Sequence, residues 1–159
     1  MIELSLLGLL FACNGAPILL RLLVRNHFAL PIDFGVNAWD DRPLFGTSKT
    51  WRGLLAAISI GAVLSALLGW GAMFGALFGL YSMLGDLFAS FVKRRMGLAP
   101  SDQATGLDQI PESLFPLIHA AMVLPVGLLH VIGLSAAFTL LSVLVSRPLY
   151  RWHIRNRPY

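Results

Sequence analysis

Charge is what this chain has least of. Only 13% of its 159 residues are Asp, Glu, Lys or Arg, against about 25% in a soluble domain. The deficit argues against a water-soluble fold and leaves no room for a separate polar domain. The chain has one cysteine, Cys13, so no internal disulfide can form, and inside an apolar run that residue reads as a small filler. No His/Cys cluster offers a zinc site. The first apolar run lacks a basic leader region, its only charge before Arg21 being Glu3. It is therefore expected to be a retained span rather than a cleaved secretory signal. A net charge of +4 comes without an aromatic-interleaved basic module, which argues against nucleic acid as a partner.

Long apolar segments fill the space that charge leaves. Five are expected to form transmembrane helices: Ile2 to Leu23, Gly53 to about Gly71, Met73 to Val92, Ser113 to Ile132, and Leu134 to about Leu149. Each approaches the roughly 20 residues needed to cross about 30 Å of hydrocarbon. The prediction is an all-α integral membrane protein forming a single domain over residues 1–159. With the N-terminus outside and the C-terminus cytoplasmic, all twelve Lys and Arg fall at one face. They are Arg21, Arg25, Arg42, Lys49, Arg52, Lys93, Arg94, Arg95 and the tail residues Arg147, Arg151, Arg155 and Arg157, as positive charge held on the cytoplasmic side requires. The protein is thus expected in the cell membrane as a multi-pass chain, with cytoplasmic polar stretches at about 25–52 and 93–112. Tyr150 and Trp152 read as interfacial anchors.

Two patterns inside the spans concern packing. Ala57, Gly61, Ser65 and Gly69 recur every four residues, as do Gly71, Gly75 and Gly79, and such stripes let helix backbones approach closely in lipid. In the first span, Asn14-Gly15-Ala16-Pro17 predicts a kink or a local break, because proline removes a backbone donor. A break there would turn Asn14 toward a polar substrate group.

The stretch from Gly85 to Ser113 concentrates the remaining polarity. It holds four of the eight acidic residues, Asp86, Asp102, Asp108 and Glu112, and three basic ones, Lys93, Arg94 and Arg95. Asp86, inside an apolar run, is a functional candidate because a carboxylate at that depth is expensive without a partner. On a helix Asp86, Ser90 and Lys93 share one face, with Lys93 roughly 10 Å further along the axis. An ion pair from Asp86 to Lys93 or Arg52 is the structural alternative to a ligand role. Oxygen donors favour a hard cation such as Mg²⁺, which uses one or two carboxylates and completes its shell from water and phosphates. Asp86 and Asp108 are the first candidates, and Asp40, Asp102 and Glu112 the further ones. Upstream, Phe45-Gly46-Thr47-Ser48-Lys49-Thr50-Trp51-Arg52-Gly53 offers glycine backbone and basic charge for phosphate, although it is not a P-loop. Lys49, Arg52, Lys93 and Arg94 would neutralise phosphate charge. His119 reads as a hydrogen-bonded buried histidine rather than a base.

These motifs, in this order, resemble the CDP-archaeol synthase family, within the phosphatidate cytidylyltransferase superfamily. The similarity is carried by Asn14-Gly15-x-Pro17, Asp40-x-Arg42, Gly46-x-x-Lys49-Thr50-Trp51-Arg52-Gly53, Gly85-Asp86, Ser90-Phe91-x-Lys93-Arg94-Arg95 and Leu107-Asp108-Gln109. The chain departs from the bacterial form, whose Gly-His-Gly-Gly is absent, and Asp41 stands where the archaeal-type family commonly has Gly. The resemblance implies Mg²⁺-dependent transfer of CMP from CTP to a lipid phosphate at the cytoplasmic face. It implies metal binding by Asp86 and Asp108, with Lys93 beside them in the catalytic set. Lys49, Thr50, Arg52 and Arg94 would hold the nucleotide and lipid phosphate, and Ser90 and Asn14 complete the expected binding set. The competing expectations are a small transporter with its site at a broken first helix, or a non-catalytic binder of phosphate headgroups.

Overall fold

The computed structural model describes residues 1–25, 27–100, 102 and 104–151, with the side chains of 146–151 left aside. Trp152, His153, Arg155 and Arg157 lie outside the described residues, as do the side chains of Arg147, Tyr150 and Arg151. Among those described there are five helices and no strand: α1 (Ile2–Val24), α2 (Trp51–Leu67), α3 (Ala72–Arg95), α4 (Gln109–Val123) and α5 (Leu128–Arg151). Three segments are long and apolar enough to cross a membrane, Ile2–Val24, Ala72–Arg95 and Leu128–Val145. The apolar α2 has 17 residues and α4 has 15, lengths of about 26 Å and 22 Å at 1.5 Å per residue. The fold is therefore that of a multi-pass helical membrane protein with two helices shorter than the bilayer core.

Several helix ends differ from the sequence expectation, each for a local reason. α2 stops at Leu67 because Gly69 (φ 78°) and Gly71 (φ 84°) take the left-handed region, which glycine enters without a Cβ clash. The Ser65 hydroxyl donates to the Gly71 carbonyl at 2.8 Å and closes that turn. α3 runs to Arg95 rather than Val92, so Lys93, Arg94 and Arg95 form its last turn, where basic side chains complement the helix dipole. The boundary between the last two helices lies at 124–127 and not at Gly133. Pro125 disfavours helical backbone at the residue before it, and Leu124 is accordingly extended (φ −108°, ψ 156°). α1, by contrast, continues unbroken through Pro17, so of the two alternatives the local break is absent and a kink is the most that proline could impose.

The small-residue stripes pack α2 against α3. A Cβ placed on Gly61 would run into the Gly75 carbonyl, and one on Gly79 into the Ala57 carbonyl. A second close approach joins α3 to α4, where a Cβ on Gly85 would meet the Pro111 carbonyl and the Glu112 backbone. A hydrophobic core fills the other end of the bundle: Leu6, Leu9, Leu10 and Cys13 of α1, Phe74 and Phe78 of α3, Leu117 and Ala120 of α4, and Val131, Leu134 and Phe138 of α5. The polar groups are left to gather where α3 ends and α2 and α4 begin.

Candidate active site

The segment between α1 and α2 is organised by Asp33. Its carboxylate is buried and accepts from the backbone amides of Gly35 (3.1 Å), Phe45 (2.9 Å) and Gly46 (2.8 Å). Burial alone would raise its pKa, but these three amides outweigh it and hold the carboxyl below the usual carboxylate range. Gly46 (φ 95°) needs glycine here, with Pro100 and Arg94 against it. From this fixed point the chain turns, Lys49 N–H donating to the Gly46 carbonyl at 3.2 Å. Thr50 then caps α2, its hydroxyl accepting from Gly53 N–H at 3.3 Å.

A reciprocal arginine clasp ties this segment to the end of α3. Arg42 donates to the carbonyls of Arg94 (3.3 Å) and Arg95 (2.7 Å). Arg95 donates back to those of Arg42 (3.3 Å) and Pro43 (2.6 Å). The Arg95 guanidinium also lies over Trp39 and Phe91, at 5.5 Å and 5.0 Å from the ring centroids, and pairs with Asp40 at 3.1 Å. Asp40 thus serves the clasp. Sequence reasoning missed both Asp33 and the clasp, although three consecutive basic residues closing a helix were a signal for carbonyl contacts.

Lys49, so placed, reaches into the bundle and meets Asp86 with both carboxylate oxygens, at 2.7 Å and 2.6 Å. Each side chain is only 21% exposed. The structural partner expected for Asp86 was Lys93 or Arg52, and neither is used. Arg52 donates to the His27 carbonyl. Lys93, roughly two turns beyond Asp86, reaches Asp108 at 2.5 Å and the Asp102 carbonyl at 2.9 Å, because the connection between α3 and α4 folds back over it. Asp108 also accepts from Ala104 N–H at 3.0 Å. Burial would lower the Lys49 pKa, but Asp86, and behind it Glu112 and Asp108, hold the ammonium above its ordinary value. That field comes from one acid of α3, one of α4 and one at the N-cap of α4. The α3–α4 approach at Gly85 explains it, since a side chain there would push Glu112 away.

Two further residues define what the site can hold. Arg94 is 3% exposed, and its Nε and Nη1 are buried without a hydrogen-bond partner among the described residues. Buried guanidinium donors left unmatched are costly, and their fork fits a phosphate. Ser90 is buried on the same face of α3. Asn14 is placed differently from the expectation of an open binding group: it donates to the Leu10 carbonyl at 3.0 Å and accepts from Ser82 at 3.0 Å. Ser82 also approaches the Glu112 carbonyl at 3.1 Å, so the network links α1, α3 and the start of α4 one turn before Asp86. His119 packs against Phe74 and Tyr81, with ring centroids 5.2 Å and 5.1 Å away.

Among the described residues no three ligating side chains form a ready cage for a metal ion. The donor set still fits Mg²⁺, which needs only one or two protein carboxylates when phosphates supply the rest. Asp86 and Asp108 are such carboxylates, each already neutralised by one ammonium.

The described helices thus build a multi-pass membrane protein with acids, lysines and a buried arginine gathered at one end of the bundle. No family model matches the chain, but individual proteins do. The CDP-archaeol synthase of Sulfurisphaera tokodaii is 31% identical over 94% of this chain and 90% of its own length. That of Thermofilum pendens is 32% identical over 82% and 72%. The Pyrococcus furiosus enzyme of the same name is 32% identical, the alignment spanning 62% of each chain. A solved intramembrane enzyme of archaeal membrane lipid biosynthesis superposes with a TM-score of 0.74 at 30% identity, covering 89% of this chain and 90% of that one. The chain belongs to the CDP-archaeol synthase family.

Proposed function

We infer that this chain transfers CMP from CTP to a lipid phosphate, giving a CDP-lipid and pyrophosphate. The observation that carries the reading is Arg94, buried with donors unmatched among the described residues, together with two lysine–carboxylate pairs, in a chain that aligns over nearly its whole length with a CDP-archaeol synthase. An oxygen of the lipid phosphate attacks the α-phosphorus of CTP, and the bond to the β-phosphate oxygen breaks as pyrophosphate leaves. The nucleophile is already an anion, so no strong general base is required. The protein's contribution is alignment and charge neutralisation. Lys49, Lys93 and Arg94 hold phosphate oxygens. Thr50 and Ser90 shape the site rather than carry charge, and Arg52 and Asn14 act through the loop and helix they fasten. Asp86 and Asp108 would hold Mg²⁺, with Asp102 and Glu112 nearby, and the ion would offset negative charge on the triphosphate.

The acceptor is read as a diether isoprenoid phosphate, since the named relatives are archaeol enzymes. The orientation that supports cytoplasmic CTP puts the N-terminus outside and the site at the cytoplasmic face of the cell membrane, with the lipid arriving sideways from the bilayer. The test is a panel of diether and diacyl lipid phosphates against the four ribonucleoside triphosphates, with product masses read directly. The expected product is a CDP-diether lipid, formed only with CTP and a divalent ion. A panel without any nucleotidyl-lipid would remove the enzyme reading, and a diacyl preference would move the acceptor.

A further inference from the structure

Resting on that reading of the site, the geometry points to Lys49 and Lys93 as exchangeable internal counter-ions that make metal and nucleotide bind as a coupled pair. Lys49 Nζ is bound to both oxygens of Asp86, and Lys93 Nζ lies 2.5 Å from Asp108 and 2.9 Å from the Asp102 carbonyl. The carboxylates that suit the metal are therefore the ones the lysines hold, and the lysines are the groups that suit phosphate. All four side chains are largely shielded, the exposures being 21% for Lys49 and Asp86, 8% for Lys93 and 18% for Asp108.

A divalent ion arriving alone must expel both ammonium groups from their partners and leave them shielded next to a doubly positive centre. A triphosphate arriving alone must draw the ammonium groups off and leave two carboxylates facing a polyanion. Removing one partner of a shielded pair strongly penalises the charge left behind. When both ligands arrive together, no charge is stranded: the carboxylates pass to the ion and the ammonium groups to the phosphates. Each ligand must then raise the affinity for the other by the same factor. Arg94 is a different kind of group. Its Nε and Nη1 have no hydrogen-bond partner to give up among the described residues, so it anchors phosphate without taking part in the exchange.

Purified full-length protein in detergent free of lipid phosphate allows the test, since no turnover can occur. Mn²⁺ is titrated with and without CTP by electron paramagnetic resonance, corrected for the complex CTP itself forms with the ion. For the wild type we expect CTP to tighten Mn²⁺ binding by about 10-fold or more, within the 5–150-fold span of ordinary couplings. Lys49→Met should bind Mn²⁺ more tightly than the wild type when CTP is absent, with the coupling factor falling toward one. Lys93→Met should do the same through Asp108 and provides an independent arm. Arg94→Met should weaken CTP yet keep the coupling factor. Equal Mn²⁺ affinity of the wild type with and without CTP overturns the exchange, as do lysine variants whose CTP-free Mn²⁺ binding is no tighter. A wild type that binds neither probe overturns the functional reading beneath it.

Discussion

The two ends of the bundle are held together by different physics. At one end, Leu6, Leu9, Leu10, Phe74, Phe78, Leu117 and Phe138 pack as a core, beside glycine contacts that bring the α2 and α3 backbones together. At the other, the contacts are few, charged and distant in sequence: Lys49 with Asp86, Lys93 with Asp108, Arg42 with the end of α3, and Asp33 with Phe45 and Gly46. Shielded ion pairs often stabilise no better than well-packed apolar groups, so the charged contacts are a weaker source of stability than the apolar core. On the proposed function, stability belongs to the apolar end and chemistry to the charged one, and variants at each end should separate the two.

The largest effect is expected for Asp86→Asn, which keeps the shape and removes the charge. CMP transfer should fall by at least about 10²–10³-fold at temperatures where the variant is still folded, with some loss of thermal midpoint in detergent because the shielded Lys49 ammonium loses its charged partner. Gly75→Val strikes the apolar side, where a side chain would be forced into the Gly61 carbonyl and Ser65. Yield of monodisperse protein on size exclusion should collapse, and activity with it. Returning to the charged end, Arg94→Met should raise the KM for CTP by about 10–100-fold, as expected for losing a charge-assisted bidentate contact of a few kcal/mol, without lowering the thermal midpoint. Phe78→Ala removes a fully buried ring and should destabilise by about 3–5 kcal/mol, yet leave the KM for CTP unchanged below the unfolding transition. The smallest effect concerns pH. The folded carboxyl of Asp33 is held below its ordinary range. Its contribution is therefore complete above the unfolded pKa and is lost as pH falls through the folded one. Asp33→Asn should flatten the acid side of the stability profile, measured as thermal midpoint against pH.

The apolar end was the more legible of the two. Low charge and long apolar runs announced membrane helices, and the four-residue spacing of Ala57, Gly61 and Ser65 announced a close backbone approach, which the fold places between α2 and α3. The break at Pro125 was legible in principle, because the residue before proline resists helix, but it lay hidden inside a continuous apolar run. At the charged end the sequence named the acids and bases except Asp33, while their pairing stayed out of reach. Asp86 meets Lys49 across 37 positions, and that depends on where the Asp33 hub sets the loop. Helical spacing could only propose Lys93, a neighbour on the same face. Asn14 was singled out through its proline motif, yet its partner Ser82 carried no signal at all. Local periodicity reports contacts within and between helices, and loops closed by a single buried carboxylate leave no period to read.

The most direct measurement follows the α-phosphorus of CTP. With α-³²P-labelled CTP, a divalent ion and a diether lipid phosphate, label should move into the lipid in step with pyrophosphate release for the wild type. Asp86→Asn, still folded, should leave the label on the nucleotide. Label transfer by that variant at the wild-type rate would contradict the claim that the acids of the charged end carry the chemistry.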